Sequence, residues 1–500
     1  MTLDRDLQSV QEVRNLVAQA KKAAAQLAEY SQDQLDAIVA AIAEACAQNA
    51  ERLAKMACEE TGFGNWQDKI LKNLLGSTVT HQSIKDLKVV GILREDEGQG
   101  IWEIGVPVGV VAALIPSTNP TSTVMYKTLI SLKSGNAIVI SPHPGAKKCI
   151  CETVQLIQEA ACKAGAPEGA VGCISLTTVQ ATDALLKNRD VSLILATGGE
   201  AMVRAAYSSG NPALGVGPGN GPSFIDQSAD IPLAVKHIFD SKTFDNGTIC
   251  ASEQSIVTLS CIAQQVEQQV KAQGGYFLDE EQSQKVSRLL LRANGTMNPR
   301  IVGKRAVEIA KMAEVNVPNE TRVLLSRQTE VSRQNPYARE KLCPVLGYYV
   351  QDSWEEACDL CVAILQNEGA GHTMTIHAQN QEVIRAFARK KPVSRLLVNT
   401  PGALGGVGST TNLAPALTLG CGAVGGSATS DNVTPRHLVN IRRVAFGVRE
   451  LEEIRGNHPV PETACQNAPM LEKSPQSSEP VTSADVEAIT RAVLARLGMA

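Results

Sequence analysis

Between Val89 and Gly199 short runs rich in Val, Ile and Leu take turns with longer segments of helical periodicity, and that alternation most limits the fold. The strand candidates are VVGILRE from Val89, IWEIGVPVGVVAALIP from Ile101, NAIVIS from Asn136, CISL over Cys173 to Leu176, and SLILATGG from Ser192. Helical patterns such as TVMYKTLISLKSG and AKKCICETVQLIQEAACKAG lie between them, the second closing at Gly165, a residue type suited to ending a helix. Strands and helices at this spacing imply parallel sheets with crossover helices. The pattern resumes past Cys250, with GYFL, VNVPNETRVLL, PVLGYYV, HTMTIHA and RLLVN as strands. Two α/β halves with a seam near Cys250 are expected.

Both ends differ from this body. From Ser9 to about Lys72 apolar residues recur at three and four, as in Leu35, Ile38, Val39 and Ile42, which predicts two or three opening helices. Residues 457–481 carry five prolines among Ser, Gln and Glu and read as a disordered linker. Residues 482–500 then restore a pattern: Thr482 and Asp485 resemble a capping box, and Val486, Ile489, Val493 and Leu497 form one apolar stripe of a short amphipathic helix. A chain of 500 residues is long enough for two or three cores. Its formal net charge of −4 gives no reason to expect nucleic acid or an anionic membrane as partner. The apolar stretch Ile104 to Ile115 is broken by Pro107 and is shorter than the roughly 20 residues of a membrane span. With no secretory h-region in MTLDRDLQSVQEVRN, a cytoplasmic location is expected.

Thirteen cysteines without an export signal point to reduced thiols. Cys149 with Cys151 and Cys358 with Cys361 are the close pairs, but a lone C-x-x-C on a helical stretch lacks the second half of a structural zinc site. The seven histidines are scattered, and no metal is predicted. Cys250 is the candidate nucleophile: the polar, Gly-containing approach FDNGTICAS offers backbone N–H groups to a developing oxyanion. That string resembles the cysteine motif of the aldehyde dehydrogenase superfamily, and TLGCGAVGGSATSDNVTP, from Thr418 to Pro435, resembles its CoA-acylating branch. The resemblance runs from about residue 10 to about 455 and includes the bacterial microcompartment propionaldehyde and acetaldehyde dehydrogenases.

It implies an α/β fold of two Rossmann-like parallel-sheet domains with a small oligomerisation hairpin and arm. The expected division is a dinucleotide-binding domain over 1–235 with a hairpin at 88–106, a catalytic domain over 236–429 and a returning arm over 430–456. NAD is the expected cofactor, with NADP left open, and coenzyme A the co-substrate. Thr197, Gly198 and Gly199 match the loop that meets the dinucleotide phosphates, and Ser141 and Pro142 stand where hydrolytic relatives carry a ribose-binding lysine. Glu340 resembles the carboxylate that holds the nicotinamide ribose. His372 resembles a histidine of the acylating branch suited to proton transfer. In IPSTNP the simple register puts Thr118 at the family's oxyanion asparagine, whereas residue type favours Asn119.

The segment LGVGPGNGP places Val216 where hydrolytic relatives carry the glutamate that activates water. General-base help is worth about 10²–10⁴ in rate. Its loss favours a thiol acceptor, which is itself a strong nucleophile. The resemblance thus implies oxidation of a short aldehyde to an acyl-CoA, in a homo-oligomer (dimer or tetramer). It also implies that residues 482–500 act as an encapsulation peptide, docking on a shell or cargo protein and carrying the chain into the microcompartment lumen.

Overall fold

The computed structural model describes residues 4–456; the linker expected over 457–481 and the helix over 482–500 lie outside the described residues. Two compact units are distinguished, Met1–Val444 and Ala445–Ala500. In the second, the described element is the short helix Leu451–Arg455.

The first unit holds two parallel sheets. Its five-stranded sheet has the order β5 (Val171–Cys173), β4 (Ala137–Pro142), β3 (Val110–Ile115), β6 (Leu193–Thr197), β7 (Ala213–Val216). The runs VVAALI and AIVISP are buried at every position, as strands covered on both faces must be. Beyond β3 the chain builds outward to β4 and β5, then returns to the other side of β3 for β6 and β7. That reversal is a topological switch point, where the crevice at the carboxyl ends takes ligands. Lys127 is fully buried there, and its Nζ donates to the carbonyls of Leu114 on β3 and Leu195 on β6 at 2.8 and 2.9 Å.

The seven-stranded sheet has the order β10 (Gly275–Phe277), β11 (Val323–Arg327), β12 (Val345–Gln351), β9 (Glu253–Leu259), β8 (Gly221–Ile225), β13 (Gly371–His377), β14 (Val393–Val398). β8 lies upstream of the boundary expected at 235/236, because its register is set by pairing with β9 and β13. A third sheet joins β1 (Gly91–Asp96), its antiparallel partner β2 (Ile101–Pro107) and β15 (Val439–Ala445), which falls in the expected arm.

Several local expectations need correction. Four helices open the chain, Arg5–Leu27, Gln32–Gln48, Ala50–Thr61 and Trp66–Leu74. The second is started by a capping box of Ser31 with Gln34, and it buries Leu35, Ile38, Val39 and Ile42. CISL is not a strand: pairing with β4 ends at Cys173, and the N–H groups of Ser175 and Leu176 turn to the carboxylate of Glu12. In VNVPNETRVLL only the end pairs, since Pro318 and Asn319 make a turn before β11.

Candidate active site

The site is assembled where strand ends converge. Asn119, the pair Ser141 and Pro142, and Thr197 to Gly199 lie at or just beyond the carboxyl ends of β3, β4 and β6. From the other sheet come amino ends of four neighbouring strands. Cys250 lies three residues before β9 and Gly219 two before β8, while His372 is the second residue of β13 and Arg395 lies early in β14.

The nucleophile's approach is a constrained turn. After the helix Ile231–Thr243, Asp245, Asn246 and Gly247 all take positive φ, at 47°, 53° and 80°. Asp and Asn tolerate this region better than most residues, and buried contacts hold them in it. Asp245 is fully buried and accepts from Lys69 Nζ at 2.8 Å, Thr248 Oγ1 at 2.7 Å, the Asn65 N–H at 2.8 Å and Lys72 Nζ. Burial would raise its carboxyl, but Lys72 and Lys69 outweigh that and leave it below the ordinary value. Burial in turn draws the Lys72 ammonium down to about 8, against the pull of Asp245.

Lys72 also reaches Asn119, donating to Oδ1 at 2.6 Å. An ammonium has only donors, so this contact fixes the amide with its oxygen toward Lys72. Nδ2 gives one hydrogen to Thr118 Oγ1 at 3.2 Å, and its other hydrogen has no bond among the described residues. Asn119 therefore presents an oriented donor, whereas the Thr118 hydroxyl is engaged as an acceptor.

Cys250 is half-buried. Desolvation, and then the Glu340 carboxyl and Cys421, push its thiol up to about 12, while Arg395 and the residue's own N–H pull down. Gly219 packs so closely that an added Cβ would fall 2.0 Å from the Cys250 carbonyl oxygen and 3.4 Å from His372 Cγ. A side chain at 219 would clash with the Cys250 carbonyl and come into contact with the His372 ring. The Gly219 N–H donates to Glu340 Oε1 at 2.8 Å, and burial, opposed by this bond, pushes the Glu340 carboxyl up to about 8. Val216, at the end of β7, is buried in the apolar core.

The Arg395 guanidinium is buried and serves as a hub. It donates to Thr373 Oγ1 at 3.2 Å, Asn432 Oδ1 at 3.3 Å, and the carbonyls of Ser430, His372 and Gly420 at 3.2, 3.1 and 2.7 Å. Thr373 Oγ1 lies 2.9 Å from His372 Nδ1. Because Arg395 only donates, the Thr373 hydroxyl accepts from it and has His372 Nδ1 within reach for its own hydrogen. In the tautomer that receives the Thr373 hydrogen at Nδ1, the imidazole hydrogen sits on Nε2, a buried atom with no hydrogen-bond partner among the described residues. Burial first, then Arg395, holds the ring neutral, with its acidity shifted to about 3.

On the cofactor side, Gly199 starts the helix Glu200–Tyr207 without a side-chain cap, which suits an anionic group at that end. Thr197 Oγ1 touches Leu417 O and Thr418 Oγ1 at 3.4 and 3.3 Å, joining this loop to the TLGCG segment. Ser141 Oγ faces Thr182 Oγ1 at 3.2 Å. A cavity of about 610 Å³ lined by Arg327, Gln328, Asn335 and Tyr348 lies toward the far ends of β11 and β12 and shares none of these residues. Chemistry, not volume, marks the site. Among the described residues no group of three or more His, Cys, Asp or Glu is placed to hold a metal ion, and no helix is long and apolar enough to cross a membrane.

Sequence reasoning missed Lys72, Asp245, Thr373 and Arg395. Asp245 stands inside the motif read for Cys250, and Thr373 next to His372; nothing local in the sequence marks Lys72 or Arg395, which arrive through tertiary packing.

These features define a class: residues 5–279 match the aldehyde dehydrogenase family, and the chain belongs to it. It is similar to a probable aldehyde dehydrogenase of Listeria monocytogenes EGD-e, with 59% identity, TM-score 0.90 and coverage of 91% of this chain and 100% of that one. An acetylating aldehyde dehydrogenase of Geobacillus thermoglucosidasius follows at 51% identity and TM-score 0.88, covering 90% and 99%. Two propionaldehyde dehydrogenases each cover 87% of this chain and 97% of theirs. One, from the fucose utilisation bacterial microcompartment of Clostridium phytofermentans, has 29% identity and TM-score 0.79. The other, from Rhodopseudomonas palustris with bound CoA and an acylated cysteine, has 25% identity and TM-score 0.78. Among curated relatives, the bifunctional aldehyde-alcohol dehydrogenase AdhE of Escherichia coli K12 is 43% identical over 87% of this chain and 50% of its own length. The chain thus spans about half of that relative.

Proposed function

We propose that the chain is a CoA-acylating, NAD-dependent aldehyde dehydrogenase acting on a short aliphatic aldehyde such as acetaldehyde or propionaldehyde. The observation that carries this is Val216. The position of the hydrolytic base holds a buried apolar side chain, and the site around Cys250 offers a neutral histidine and an arginine with no ion pair among the described residues. Water at the thioester lacks an activating group there, whereas a thiol acceptor needs little activation.

Cys250 adds to the aldehyde carbon, and the free Nδ2 hydrogen of Asn119 steadies the oxyanion. Thr197 to Gly199, Ser141 and Pro142 line the crevice that suits a dinucleotide, and Glu340 is the candidate ribose contact. When bound, the nicotinamide supplies the hydride acceptor. The acyl group then rests on Cys250 until the CoA sulfur takes it. His372, presenting Nε2–H, acts as a donor to the sulfur that bears negative charge.

The deciding measurement follows NADH and acyl-CoA formation from ethanal, propanal and butanal, with and without CoA. Without CoA, turnover should stop after about one equivalent of NADH. Steady release of free acid at the CoA-dependent rate would reject the proposal. Cys250→Ala should abolish both products.

We further propose that residues 482–500 dock on a microcompartment shell or cargo protein. The apolar stripe on a Pro/Ser-rich tether supports this. A fluorescent protein fused to residues 457–500 should collect in shell-producing cells; diffuse fluorescence would refute it.

A further inference from the structure

The close pairs of the sequence are not the pair that meets in space. Cys151, on the helix Lys147–Lys163, faces Cys173 at the end of β5, with Sγ atoms 3.6 Å apart. Both are half-buried. Register sets Cys173 opposite Ile140, the residue before Ser141, so the pair lies at the carboxyl end of the edge strand of the five-stranded sheet. A disulfide has an S–S length of about 2.05 Å, and closing the remaining gap of about 1.5 Å is within reach of side-chain rotation.

The chemistry of the two sulfurs is unequal. The thiol of Cys151 is drawn down to about 7, first by its hydrogen bond with Cys173, with Lys147 assisting, and against burial and the carboxylates of Glu12 and Glu60. Cys173, the other partner of that bond, is raised by it and by burial. Cys250, Cys343 and Cys361 are instead pushed upward, mainly by burial. A partly exposed sulfur with thiolate character and a second thiol in contact has the features of an oxidant-responsive site.

We propose that Cys151 and Cys173 form a peroxide-reactive dithiol that closes to a disulfide while Cys250 stays reduced. The Cys151 thiolate attacks one peroxide oxygen; the O–O bond breaks, a sulfenic acid forms, and the departing hydroxide takes a proton to become water. The Cys173 sulfur then attacks the sulfenic sulfur; the S–S bond forms, the S–O bond breaks, and the hydroxyl leaves as water with the proton of Cys173. Two thiols lose two electrons, and one peroxide is reduced to two waters.

The test treats the purified full chain with one equivalent of hydrogen peroxide at neutral pH. Remaining thiols are alkylated after denaturation, and a non-reduced digest is read by mass spectrometry. A cross-linked peptide joining Cys151 to Cys173 and lost on reduction is expected, with the Cys250 peptide alkylated. In Cys173→Ser, Cys151 should instead be trapped by dimedone as its sulfenic acid. Before oxidation, Cys151 should react with iodoacetamide about threefold faster at pH 7 than a thiol of ordinary acidity, the gain in thiolate outweighing its lower nucleophilicity. Recovery of Cys151 and Cys173 as free thiols while peroxide is consumed, or oxidation of Cys250 ahead of them, would overturn the proposal. That arm uses the unaltered chain, so misfolding of the variant does not decide it.

Discussion

Two buried cationic clusters serve Cys250, and they differ in what neutralises them. Under the FDNG turn, Lys69 and Lys72 converge on the Asp245 carboxylate, and their charges go into holding a left-handed turn and the Asn119 amide. Across the strand ends, Arg395 makes no ion pair among the described residues and donates only to neutral oxygens. Arg395, unlike the lysines, is a direct downward influence on the Cys250 thiol. A paired cluster fixes geometry; a cation solvated by carbonyls keeps its field for whatever anion forms nearby.

Asp245→Asn should break the first cluster and have the largest effect. It leaves two ammonium groups buried without a counter-charge, a loss of about 3–5 kcal/mol, read as a lowered Tm, and it frees the turn before Cys250. The pH dependence carries a sign. A carboxyl depressed in the folded state stabilises fully above its unfolded value, near 3.8, and that contribution disappears as pH falls through the lower folded value. The gap between wild type and variant should therefore be full at neutral pH and narrow only below about 3.8. A gap that persisted unchanged in acid would show that Asp245 acts by shape alone.

Arg395→Met probes the second cluster and should cost less, about 1–3 kcal/mol, because it orphans acceptors and no charge. Its distinct signature is the His372 ring. Without Arg395 the Thr373 hydroxyl loses the donor it accepts from, and ¹⁵N shifts of protein labelled at its seven histidines should report a changed tautomer balance at His372. An unchanged tautomer would remove Arg395 from the positioning of His372.

Much of the layout was legible because buried parallel strands write themselves as continuous apolar runs: VVAALI and AIVISP are entirely buried. The short strands escaped, since Ala213–Val216 and Gly221–Ile225 flank a Gly-rich loop whose composition masks them. At the site, residues within motifs could be named from local sequence. Lys72 and Arg395 could not, because 176 residues separate Lys72 from Thr248 and 23 separate Arg395 from His372, and only packing brings them together. The orientation of the Asn119 amide likewise depends on a distant group, for it is Lys72 that holds its oxygen.

The smallest effect should come from Glu340, which opposes Arg395 at the thiol. Its carboxyl is raised to about 8, so it is mostly protonated at pH 6.5 and mostly charged at pH 9. As an anion it is the second cause, after burial, of the upward shift at Cys250. Glu340→Gln keeps an oxygen for the Gly219 N–H and removes the charge, lowering the thiol and raising its thiolate fraction. Peptide-resolved iodoacetamide labelling of Cys250 should then be faster in the variant at pH 9 and equal to wild type at pH 6.5. Equal rates at both values would mean that Glu340 acts at Gly219 alone. A slower variant at pH 9 would reverse the assignment, making the carboxylate an aid to thiol ionisation and leaving Arg395 as the weaker influence on the nucleophile.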